Sequence, residues 1–86
     1  MENIREKLIE YELEDSIIFE NPSYETAIIG YDISTNRLVY DYNKMIEYLV
    51  EHDNMTHEDA IDFISYNTLR ALPYVENGPI VIGLFV

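Results

Sequence analysis

The sequence predicts an α+β domain, a three- or four-stranded and mainly antiparallel sheet with an N-terminal helix and a central helical pair packed on it. Three stretches carry that expectation. Residues 24–32 and 37–42 are two arms rich in β-branched and aromatic side chains, with Ser34, Thr35 and Asn36 between them, a hairpin pattern. Residues 56–73 read as a helix with a start, an apolar face and a stop. Residues 79–86 form an apolar run on both sides after the polar turn Glu76, Asn77, Gly78, which reads as a strand. With 86 residues, the chain is one domain, 1–86.

In chain order, residues 2–14 hold strong helix formers and neither Gly nor Pro, so a helix is expected to about Glu14. Ile4, Leu8 and Tyr11 share one face, while Ile9 and Leu13 fall on another. Glu2, Glu6, Glu10 and Glu14 recur every four residues, a slanted row of carboxylates roughly 6 Å apart. Residues 16–19 suggest a short strand, and Asn21 with Pro22 a turn. Gly30 inside the first hairpin arm points to a bulge or a close backbone contact. Asp41 or Asn43 can cap a helix from Lys44 to about His52, with Met45, Ile46, Leu49 and Val50 as its apolar stripe. Glu47 and Glu51 lie outside that stripe, and Asn54 suits a left-handed terminus.

Thr56 is a good N-cap for the next helix, with Asp59 approximating a capping box and Glu58 and Asp59 favouring the dipole. Ala60, Ile61, Ile64, Thr68 and either Ala71 or Leu72 define the buried face, and Pro73 ends the helix. The final strand is expected either at the centre of the sheet or paired with another chain, because an exposed edge so apolar would aggregate.

Charge is the outlying property: 17 acidic against 5 basic residues give a net charge of −12. Nucleic acid and anionic membranes would repel such a chain. The charge fits plain solvation, and it also fits binding to a cationic surface. There is no cysteine, hence no disulfide or thiolate metal site. A core must come from the 48% hydrophobic content, with eight tyrosines and three phenylalanines. No apolar run approaches a membrane span, and the charged N-terminus is unlike a signal peptide, so a soluble cytoplasmic protein is the expectation.

Catalytic patterns are wanting. Ser65 has no histidine within local reach, and no P-loop, dinucleotide or nucleophile-elbow pattern occurs. His52 and His57 flank the loop between the two central helices, at a spacing unlike a helical metal pair. No enzyme activity, cofactor or metal is expected. Arg70 can serve as an internal partner for Asp59, Asp62 or a C-terminal acid, or as an interface anchor beside Tyr66 and Tyr74. Asn67 is placed to bond a strand edge or the loop after Pro73.

Residues 56–73 also resemble a family of small acidic phage and prophage proteins with a T-x-E-x-A-x-x-[FY]-I-x-Y-N-T-[LI]-R-A-[LM]-P pattern. The matching positions are Thr56, Glu58, Ala60, Phe63, Ile64, Tyr66, Asn67, Thr68, Leu69, Arg70, Ala71, Leu72 and Pro73. The resemblance covers the C-terminal half and implies an accessory phage protein, many of which neutralise host defence. In size and acidity, though not in motif, the chain is similar to nucleic-acid mimics such as anti-CRISPR and anti-restriction proteins.

The expected function is therefore inhibition of a host nucleic-acid-handling enzyme, such as a CRISPR effector, by occupying its cationic surface in the host cytoplasm. The candidate contacts are Glu2, Glu6, Glu10 and Glu14, with Asp41, Glu47 and Glu51 as a second set. The competing expectation is a structural or assembly protein that dimerises through residues 80–86.

Overall fold

A computed structural model describes residues 4–85. The chain folds as α1 (Ile4–Glu10), a 3-10 turn (Glu25–Ala27), β1 (Ile28–Tyr31), β2 (Leu38–Asp41), α2 (Tyr42–His52), α3 (His57–Ile64) and β3 (Ile80–Ile82). The fold is α+β, as the sequence predicts. Its three-stranded sheet has the order β1-β2-β3, with the hairpin antiparallel and β3 parallel to β2.

The parallel pairing follows from the connection. Asp41 is both the last residue of β2 and the N-cap of α2, so the chain leaves the strand directly into a helix. α2 and α3 then carry it back to the start of β2, where Val39 pairs with Ile80. A parallel pair requires such a crossover. β3 is thus an edge strand, not a central one.

The hairpin forms within the expected arms but is shorter: Glu25–Ala27 is a 3-10 turn, the first strand begins at Ile28, and Tyr42 already belongs to α2. Its register slips between Ile28 and Gly30, the bulge anticipated at Gly30, while a Cβ there would meet nothing within 4 Å. The turn is held by Asp32, which accepts from the Ser34 N–H and the Thr35 hydroxyl, each at 3.0 Å. Both caps of the helical pair also match. Asp41 Oδ1 accepts from the Asn43 N–H at 2.9 Å, and Thr56 Oγ1 from the Asp59 N–H at 3.1 Å. Asn54 takes the left-handed conformation between the helices, at φ 55°.

Three elements differ from the sequence reading. α1 ends at Glu10 rather than near Glu14, because residues 8–13 close a Schellman motif. The Glu12 N–H bonds Ile9 O at 3.1 Å and the Leu13 N–H bonds Leu8 O at 2.6 Å. Glu12 sits at φ 59° where glycine is usual, and Leu8 and Leu13 are both buried, supplying the apolar contact of the motif. Residues 16–19 form no strand; they run alongside the core, where the Phe19 N–H donates to Tyr40 Oη at 3.1 Å. The third helix is α only to Ile64 and continues as a π turn, Ser65–Leu69, in which the Arg70 N–H reaches Ser65 O. That wider turn rotates the positions beyond it, so Leu72 is half-buried and Ala71 exposed. Pro73 lies in a 3-10 turn, Leu72–Tyr74.

The core joins Leu8 and Leu13 to Leu38 and Tyr40 of β2, Met45, Ile46 and Leu49 of α2, and Ala60 and Ile64 of α3. An aromatic chain threads it. Tyr40 packs on Phe19 (4.6 Å between centroids), Phe19 on Tyr24 (5.8 Å), Tyr24 on Tyr48 (5.6 Å) and Tyr48 on His52 (4.2 Å). Each such pair is worth about 0.5–1.5 kcal/mol beyond its buried area. In a domain this small, with no disulfide, that chain is a main source of cohesion.

Candidate partner-binding site

Asp41, Glu47 and Glu51, the second acidic set, border one cleft between α2 and the start of α3. It has a volume of about 630 Å3. Glu47, Val50 and Glu51 stand three and four positions apart on α2 and so share a face. Both glutamates are exposed, and Val50, 37% exposed, lines the cleft with them. Ile46, Val50 and Met55 give the cleft an apolar part, and Thr56 and His57 close its far side. The exposed Lys44 also lines the cleft, so its rim holds two exposed carboxylates and one ammonium; over an apolar floor, that net negative rim suits a side chain with an aliphatic stem and a cationic head, such as lysine or arginine.

Asp41 does not share that role. It is only 6% exposed, and its Oδ1 is taken by the cap of α2, where it faces the first-turn N–H groups. Spacing alone does not distinguish a capping carboxylate from a surface one.

The first acidic set is dispersed. Glu6 and Glu10 are exposed one turn apart on α1. Glu14 lies beyond the left-handed Glu12 and is out of line with them, so the four-residue ladder stops at Glu10. Glu2 lies outside the described residues. The cleft on α2 gathers only Glu47 and Glu51 as exposed acids of the two sets.

The remaining candidates fall into place through local geometry. His52 is tied within α2, its Nδ1 3.0 Å from Tyr48 O and its ring stacked on Tyr48. His57 opens α3 at the cleft. Among the described residues, no three His, Asp or Glu side chains converge as a metal set. Asn67 reaches neither a strand edge nor the loop after Pro73; its Nδ2 donates to Phe63 O at 3.1 Å, one turn back. Arg70 is exposed and, among the described residues, makes no ion pair with Asp59 or Asp62. Tyr66 and Tyr74 are also exposed, at 68% and 89%. Thr68, by contrast, is buried and hydrogen-bonds Tyr24.

The sequence places Val50 in the apolar stripe of α2 and does not single out Met55, although both line the cleft. Val50 carries a signal: it stands three positions after Glu47, at the margin of the apolar stripe.

Among the described residues, no helix is long and apolar enough to cross a membrane. Comparison with protein-family models, with curated proteins and with solved structures returns no match.

Proposed function

We propose that this chain is a phage-type binding protein, not an enzyme, that inhibits a host nucleic-acid-handling enzyme by occupying its cationic surface. A CRISPR effector or a comparable defence enzyme is the class of target. The observation that carries the reading is the Glu47–Val50–Glu51 face of α2 beside an apolar-floored cleft. A partner's lysine or arginine would set its stem on Val50, Ile46 and Met55 and its charge against the two carboxylates. The net charge of −12 adds a field that draws a basic partner and repels nucleic acid. Glu6 and Glu10 on α1 extend the acidic surface as secondary contacts. The resemblance of residues 56–73 to small phage proteins points to the same setting.

The test is capture from host lysate on the tagged protein, washed at low and at moderate salt. The expected result is one basic nucleic-acid-binding enzyme, released as salt rises and inhibited by the purified protein. Capture that ignores salt, or a captured enzyme whose activity is unchanged, would sink the reading.

A further inference from the structure

β3 is an edge strand of unusual composition. Ile80, Val81 and Ile82 pair with β2 on one side. Among the described residues, no backbone hydrogen bond from residues 79–85 runs to any element other than β2. β3 is short, three residues after Pro79, but residues 80–85 carry none of the other devices that blunt such an edge, with no lysine, no other charge and no proline. Just past the last paired residue, Leu84 is 43% exposed and Phe85 fully exposed.

Charge decides what can cover this edge. Residues 77–86 carry no charged side chain, the longest such run in the sequence. Two copies at −12 each repel one another, and this segment brings no charged side chain of its own to a contact. A basic partner, by the same logic, gains nothing there. We infer that β3 and residues 83–85 pair with the same segment of a second copy. The two edges run antiparallel about a two-fold axis and join two three-stranded sheets into one of six. Such an interface is self-complementary and closed, so it stops at the dimer. Backbone bonds supply the register, while Leu84 and Phe85 of each copy cover apolar surface on the other. This inference does not depend on the proposed inhibition.

The experiment is solution mass by light scattering across a salt series, for the intact chain and for Leu84→Asp/Phe85→Asp. Both substituted side chains are exposed and lie outside β3, so the far-UV spectrum should be unchanged. The expected mass of the wild-type chain is 20.2 kDa, twice 10.1 kDa. Dimerisation should strengthen as salt rises, because salt screens the repulsion between copies. That trend is opposite to the one expected for a basic partner, so the two ideas fail separately. The variant should stay at 10.1 kDa at every salt concentration. A monomeric wild type at all salt concentrations, a variant that still dimerises, or growth to open-ended oligomers would each overturn the inference.

Discussion

Tyr24 Oη and Thr68 Oγ1 lie 3.3 Å apart in the buried interior, a hydrogen bond across 44 residues of sequence. It links the segment before β1 to the π turn that extends α3. Tyr24 holds a left-handed backbone, φ 49° and ψ 33°, which a bulky residue adopts only where its surroundings over-determine it. The phenol is held by an edge-type ring contact with Phe19, a tilted one with Tyr48, and Thr68 at its tip.

Thr68→Val should cost about 1–2 kcal/mol, because it keeps the shape and leaves the Tyr24 hydroxyl unpartnered. Tyr24→Phe should cost about 1 kcal/mol. The double variant should be less destabilised than the sum of the two, which urea denaturation of the four proteins would show. Strict additivity would mean that the bond contributes nothing.

Glu12→Gly should stabilise the protein by about 0.5–1 kcal/mol, since glycine accepts the left-handed conformation that Glu12 is forced into. Leu13→Ala should destabilise by about 2–4 kcal/mol, because it opens the buried contact with Leu8. Thermal melts of both variants would test this account of how α1 ends.

These two residues also show where the sequence stopped being readable. A helix to Glu14 was a fair expectation from propensity, since nothing between Glu2 and Glu14 breaks a helix. What ends it is the burial of Leu8 and Leu13 together in a core built largely by later elements, which places a glutamate where glycine belongs. The π turn at residues 65–69 is similar: Thr68 fits the apolar face by spacing, but its bond to Tyr24 depends on a partner 44 residues away. The direction of β3 was hidden for the same reason, because strand polarity is set by where α2 and α3 return the chain. Local chemistry, by contrast, was legible. Asp41, Thr56 and Asn54 act within a few residues of themselves; the sequence points to Thr56 and Asn54 directly and to Asp41 as one of two caps, with Asn43 the other. The candidate site divided along that line. Glu47 and Glu51 follow from helical spacing, whereas the burial of Asp41 needed the packed structure.

Asp41→Ala should lower stability by about 1–2 kcal/mol through loss of the cap, and Asp41→Asn should restore most of it, since asparagine also caps well. Neither change should weaken partner capture beyond its effect on folding. A capture defect in Asp41→Asn with normal stability would return Asp41 to the binding surface.

Stability should fall at both extremes of pH. Burial pushes the Tyr24 and Tyr40 phenols up from their ordinary value, against hydrogen bonds from Thr68 and the Phe19 N–H that pull the other way. Their contribution is present below the pKa of an unfolded tyrosine and is lost as pH rises through the folded values. Absorbance titration should show these phenols ionising late, together with unfolding. Asp32 behaves oppositely. The Ser34 N–H, and then the Thr35 hydroxyl, hold its carboxyl below the usual aspartate range. Its contribution is present above the unfolded pKa and lost as pH falls through the folded one. Asp32→Ala should remove that part of the acid sensitivity, and an unchanged acid profile would contradict the assignment.

The most direct test of the central claim compares two charge reversals in binding to the captured basic partner. Glu47→Lys/Glu51→Lys alters the cleft face of α2, and Glu6→Lys/Glu10→Lys alters α1 by the same net charge. Both pairs are exposed, so both proteins should fold. The account predicts that the α2 variant loses about tenfold or more in affinity, beyond the loss in the α1 variant, with a weaker dependence on salt. Equal losses in the two variants would reduce the cleft to one part of a diffuse negative field. Wild-type binding by the α2 variant would contradict the account outright.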